Sequence, residues 1–273
     1  MVEIPLPFYQ PMDNFPGLEL NMIVEYLLLF FVLSIRLASF LISSPFLGSR
    51  NIPLHAKIVF SMVLSFYYFG HSTNMELTKF IIENLLFLIL VEIFIGVAAG
   101  LSLTIWFSAA SMAGEKIAAS TGLGFSALVD PETGGQTPVL SVFLDLFLLT
   151  IFVSLNGHLL AINLIVNSYE IIEVGSRTPH IAILGAGIEA AGAMFYSAGL
   201  IMLPVVGGLL LTNVAVGVMT KSAPQLNLFS FGFPITIMMA FIMLYFATRS
   251  MGGAFAELVK SSITALENTL GVL

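Results

Sequence analysis

The chain has 273 residues, 58% of them hydrophobic and only 9% charged. Soluble domains carry roughly 25% charged residues, so this chain cannot cover itself against water and reads as an integral membrane protein. The formal charge of −7 and the lack of a basic patch disfavour nucleic acid as a partner, and the absence of cysteine excludes a disulfide frame, thiolate catalysis and Cys-ligated metals. The apolar runs are continuous rather than alternating, which points to an all-α polytopic fold and away from a closed barrel.

Residues 1–20 are polar and marked by Pro5, Pro7, Pro11 and Pro16, an extended arm suited to lying on a partner. No Lys or Arg precedes Arg36, so there is no positive n-region, and insertion is expected through the chain's own spans. The first span is expected at about Met22–Ile42, long enough to cross roughly 30 Å of hydrocarbon, with Arg36 inside it. Pro45, Gly48 and Pro53 then break helix, and Arg50 and Lys57 supply charge. Ile58–Gly70 is apolar but short. A long run follows from Phe80 to Phe107, in which Gly96, Gly100, Thr104 and Ser108 recur every four residues. That spacing makes one small-residue face, which lets two helix backbones approach closely.

Ala109–Pro138 interrupts two very hydrophobic segments with Gly114, Gly122, Gly124, Gly134 and Gly135, interleaved with Met112, Leu123 and Phe125. Non-helical backbone at membrane depth needs protein or a water-filled path to satisfy it. This stretch is therefore a candidate for lining, plugging or gating a channel; an extramembrane connection with a short amphipathic helix is the alternative. Val139–Leu160 is the next expected span. Ala190–Thr220 carries no charge and contains Pro204 and Gly207-Gly208, which fits a kinked span or a shallow hairpin. Ser222–Thr248 is another uncharged run. After Arg249, Met251, Phe255, Leu258, Val259, Ile263, Leu266 and Leu270 fall at helical spacing among charges, an amphipathic helix for an interface or a partner. Six simple spans give Lys and Arg no bias between the two sides, so the positive-inside rule does not orient the chain.

No metal-spaced histidine pair, nucleophile elbow or phosphate-binding loop is present, so no enzyme, cofactor or metal site is expected. Arg36, Glu83, Glu92, Asp145 and Glu189 interrupt apolar runs, and each should face protein or water. They suit either structural pairing between helices or a proton or ion path. An Arg36–Asp145 pair is one arrangement. A stand-alone secondary transporter or channel using Arg36, Glu92 and Asp145 is the alternative function.

The segment Asn213–Ile237, with its Ala-Pro-Gln-Leu-Asn-x-Phe run (Pro224, Gln225, Leu226, Asn227 and Phe229), closely resembles the signature of the FliR family, the flagellar export-gate proteins of type III secretion, whose injectisome relatives share the pattern. Arg36, Pro45, Arg50, Pro53 and Lys57 resemble the family's first Arg/Pro segment. Gly96, Gly100, Gly114, Gly122 and Pro131 fit its central glycine pattern, Asn156-Gly157-His158 with Ser168 a further element, and Leu203-Pro204 a later helix. Lys221 departs from the arginine expected there, keeping charge without bidentate bonding.

The resemblance implies a FliP-like part (1–180) fused to a FliQ-like helical hairpin (181–248), then an amphipathic helix (249–273). It further implies assembly with FliP- and FliQ-type subunits, in the inner membrane at the flagellar basal body, beside FlhB- and FlhA-type proteins. The channel so formed would carry unfolded export substrates, with lipid around it. The central loop, about 109–138, would be part of a pore plug, with Met112, Gly114, Gly122, Leu123, Gly124 and Phe125 at its mobile apolar seal. Arg36, Pro45, Pro53, Gly96, Gly100, Gly157, His158, Pro204 and the Pro224–Phe229 run would serve assembly.

Overall fold

The computed structural model describes residues 20–49, 52–71, 85–122, 138–174, 180–223 and 231–271, and among them every regular element is helical. The helices are α1 (Leu20–Ser43), α2 (Leu54–His71), α3 (Leu85–Thr121), α4 (Val139–Ser154), α5 (Gly157–Ile171), α6 (His180–Ser222) and α7 (Phe233–Leu270). Four are long and apolar enough to cross a membrane, or five spans if the bent pair α4–α5 is one. Among the described residues this gives four or five candidate spans, against the six simple spans used to weigh the loop charges.

Helix α3 is the axis on which the others pack, touching α1, α4, α6 and α7. Its buried face is built from small residues: Ala99, Ala109, Ala110 and Ala113 are fully covered, with Ile95, Leu103 and Ile117 filling between them. The stripe expected for close approach performs it. A β-carbon at Gly96 would collide with Ser39 and the Arg36 carbonyl, and one at Gly100 with Ser43. Thr104 donates its hydroxyl to the Ser43 carbonyl at 2.7 Å. Contacts that advance together along both helices make α1 and α3 parallel neighbours, joined at van der Waals distance because glycine leaves no side chain between them.

Several expected breaks are absent. α3 continues through Ala109 to Thr121, so the central interruption begins at Gly122. Pro204 and Gly207-Gly208 lie inside the unbroken 43-residue α6, so of the two arrangements expected for Ala190–Thr220 the single span forms and the shallow hairpin does not. Proline loses one helical hydrogen bond and crowds the preceding turn, yet Ile201, Val205 and Leu209 on the same helix are buried, and their packing holds it. Nor is there a boundary at Arg249: the uncharged run and the amphipathic tail form one helix, α7. Its apolar face is buried against its own chain, with Phe255 against Phe147 of α4 and Met251, Leu258 and Leu266 covered, where a partner or interface was expected.

One break was not expected. The span from Val139 divides at Leu155–Asn156 into α4 and α5, which meet at a 68° bend. Asn156 adopts the left-handed conformation at φ +58°, a region asparagine tolerates better than most residues. Gly157 follows, packed so tightly on the Phe152 ring that a β-carbon would stand 2.5 Å from it. Helices α6 and α7 pair antiparallel, with Gly208 seated against Met243. At 1.5 Å per residue, the 37, 43 and 38 residues of α3, α6 and α7 extend well past roughly 30 Å of hydrocarbon.

Candidate functional site

The charged residue buried in α1 meets α3 and α5 together. Arg36 is fully buried. Its Nε donates to Glu92 Oε2 at 2.6 Å and its Nη2 to Glu92 Oε1 at 3.0 Å, a bidentate pair across α1 and α3. Nη1 donates to Ser168 Oγ at 3.0 Å, and Nη2 also donates to the Ile172 carbonyl at 3.0 Å. The guanidinium lies 4.2 Å from the centre of the Tyr169 ring, and Tyr169 donates its hydroxyl to the Leu33 carbonyl at 2.5 Å. Tyr68 of α2 stacks on Tyr169 at 4.9 Å.

A buried ion is tolerable only when paired and hydrogen-bonded, and here four of the five guanidinium N–H bonds are used. The cation also caps the carbonyl end of α5, where the helix dipole is negative. This arrangement is a brace: its two charges neutralise each other and most of its donors are occupied. Glu92 precedes Gly96 by one turn on the same face, the sequence signal that Arg36 and Glu92 would meet. Arg36 does not pair with Asp145, which lies on α4 and accepts from Ser111 Oγ at 2.7 Å. The three residues of a transport path are thus divided between two separate places.

The second locus is the end of α3. Thr236 of α7 donates its hydroxyl to the Thr121 carbonyl at 3.0 Å, and Asn213 of α6 donates its amide to the Ser120 carbonyl at 3.0 Å. Two neighbouring helices thereby satisfy carbonyls that the helix terminus leaves free. Gly122 turns the chain at φ +82°, against the Phe233 ring. The end of α3, the start of α7 and the flank of α6 border a half-open cleft of about 290 Å³ lined by Ser120, Gly122, Asn213, Gly232, Phe233 and Thr236 among others.

Of the expected plug residues, Met112 and Gly114 are not in a loop. Both lie in α3, where Gly114 is buried against the Ser141 backbone of α4; its missing side chain serves helix packing instead of mobility. Gly122 stands at the helix exit, and Leu123, Gly124 and Phe125 lie outside the described residues, as do Glu83 and Pro131. Among the expected assembly residues, Pro45 lies in the turn after α1, and Pro53 precedes α2, its carbonyl accepting from the Ala56 amide at 3.0 Å. Lys57, buried, donates to the Ser49 carbonyl at 3.1 Å. His158 opens α5 with its Nδ1 buried and without a hydrogen-bond partner. Pro224, Gln225, Leu226, Asn227 and Phe229 lie outside the described residues. Among the described residues no cluster of His, Asp and Glu is disposed to hold a metal.

These features define a polytopic helical membrane protein whose buried charge pair locks its bundle. A family profile described as "Bacterial export proteins, family 1" matches residues 27–262, and the chain belongs to that family. It is 30% identical to the flagellar biosynthetic protein FliR of Escherichia coli over 240 residues, 88% of this chain and 91% of the relative. It is 28% identical to FliR of Bacillus subtilis over 257 residues, 93% and 99% of the two chains. The surface presentation of antigens protein SpaR of Shigella sonnei is 26% identical over 181 residues, 66% and 70%.

Proposed function

We propose that this chain is a core component of the flagellar type III secretion export gate. With FliP- and FliQ-type subunits it forms the channel for unfolded export substrates in the bacterial inner membrane, beside FlhB- and FlhA-type neighbours at the basal body. The observation that carries the reading is similarity along nearly the whole chain to proteins named as flagellar biosynthetic FliR. The buried Arg36–Glu92 brace supports it, because a gate for polypeptide needs a firm wall and no catalytic residue. The antiparallel α6–α7 pair supports a FliQ-like hairpin within 181–248, following a FliP-like part.

In this reading the plug starts at Gly122 and continues through Leu123, Gly124 and Phe125. An apolar seal there holds back ions and yields to a passing chain. The Pro224–Phe229 run joins the hairpin helices and serves assembly. Native mass spectrometry of the tagged chain, extracted in mild detergent from its own membrane, tests the function. A heteromer with one copy of this chain and several copies of two small hydrophobic subunits is expected; a stable lone chain or homo-oligomer would overturn it. Deleting residues 122–130 should raise ion leakage with assembly retained, and an ion-tight deletion strain would remove the plug assignment.

A further inference from the structure

Among the described residues, Asp145 meets no cation. It sits in the middle of α4, at the seam with α3, partly exposed. Its only partner among the described residues is neutral: Ser111 Oγ lies 2.7 Å from both carboxylate oxygens. Ser111 is in turn fixed by Ser141, whose hydroxyl donates to the Ser111 carbonyl at 3.1 Å. Gly114 lets α4 lie directly on α3 beside this point. Glu115, one turn along α3 and exposed, lies within electrostatic reach and carries the same sign.

The surface beside this carboxylate is apolar. Val142, Leu146 and Val153 form an exposed stripe along α4, Leu146 at 58% exposure, and Asp145 borders it on the α3 side. A carboxylate next to such a stripe is costly against hydrocarbon unless a cation meets it. A hydroxyl donor orients the carboxylate but does not neutralise it.

The geometry points to a docking face on the α3–α4 seam for a helix of a different subunit, one that lays an apolar side on Val142, Leu146 and Val153 and presents a Lys or Arg to Asp145. Charge complementarity selects this occupant. The chain is itself poor in cations, with nine Lys and Arg against sixteen Asp and Glu, and its buried arginine is already paired with Glu92. A second copy would bring the same net negative charge. Apolar contact supplies the area and the ion pair sets the register, a division usual at interfaces.

The inference rests on the proposed membership of a heteromeric assembly, but it is tested separately. A photoreactive amino acid at Leu146, in the full chain expressed with its native partners, should yield one protein adduct in the membrane. Peptide mapping should place it on an apolar segment containing Lys or Arg. Asp145→Lys should lower the adduct at least about tenfold by placing like charges together, Asp145→Glu should retain it, and Asp145→Asn should fall between them. Because Asp145→Lys also strains the Ser111 contact, the decisive variant pairs it with Asp at the mapped basic residue, which should restore the adduct.

Adducts only with lipid or with a second copy, an unchanged yield in Asp145→Lys, or no restoration by the swap would each overturn the docking face. If the adduct forms and obeys the charge swap but the partner is not an export-gate subunit, the docking face stands and the proposed function fails. If the heteromer forms while Leu146 gives no protein adduct, the reverse holds.

Discussion

Neutralising Arg36 tests whether the buried charges serve the fold or carry ions. In Arg36→Leu, Glu92 keeps its carboxylate in a fully buried site with no other donor among the described residues. Removing one partner of a buried pair costs about 3–5 kcal/mol, because the remaining charge is uncompensated. Loss of the guanidinium from the Tyr169 face adds roughly 0.5–2 kcal/mol. The folded-to-unfolded ratio should therefore fall by at least about a hundredfold. Glu92→Leu should cost somewhat less, since Arg36 retains Ser168 and the Ile172 carbonyl. The double variant Arg36→Leu/Glu92→Leu leaves no buried charge and should recover most of the loss, ending within about 1–2 kcal/mol of the parent. Denaturant unfolding of the chain in mild detergent, as a double-mutant cycle, measures all three. Additive single effects below about 1 kcal/mol would refute the brace. So would a double variant that folds and assembles but no longer functions, because the charges would then be needed for more than packing.

Three further outcomes follow from the packing. Gly100→Leu should block the approach of α3 to Ser43 of α1 and destabilise by at least about 1–3 kcal/mol, seen as loss of folded chain in detergent, whereas Gly252→Leu, with open space at that position, should be tolerated. Gly122→Ala imposes a β-carbon at φ +82° and against Phe233; it should cost about 1–2 kcal/mol in thermal unfolding, and an unchanged midpoint would show that the turn relaxes. Thr236→Val removes the hydroxyl that donates to the Thr121 carbonyl, with an expected loss of about 0.5–1.5 kcal/mol for one buried hydrogen bond and faster hydrogen exchange in the last turn of α3.

The membrane character, the helical class, the first span and the small-residue face of α3 were legible in the sequence, because each depends on local composition or four-residue spacing. Gly96 and Gly100 announce a close approach wherever their helix packs. The limits of the helices were less legible. Gly114, Pro204 and Gly207-Gly208 carry low intrinsic helix propensity, and tertiary packing overrode it: Gly114 lies on Ser141, and Gly208 takes Met243. Conversely, Leu155 and Asn156 sit in an apolar run with no proline, yet the chain bends there. The Phe152 ring on Gly157 and the Arg36 bonds to the far end of α5 favour the bent arrangement.

The amphipathic pattern after Arg249 predicted a buried face, and its burial was found; the pattern holds no information on whether the covering surface belongs to this chain or another. Pairing of charges divides in the same way. That Arg36, Glu92 and Asp145 had to be answered by protein follows from composition and the cost of ions in lipid. That Arg36 meets Glu92, with Ser168 and Tyr169 closing around it, while Asp145 receives only a hydroxyl, was decided by the parallel register of α1 on α3 and the antiparallel return of α4, since a single pair separated by 56 residues is fixed by distance in space and not along the chain.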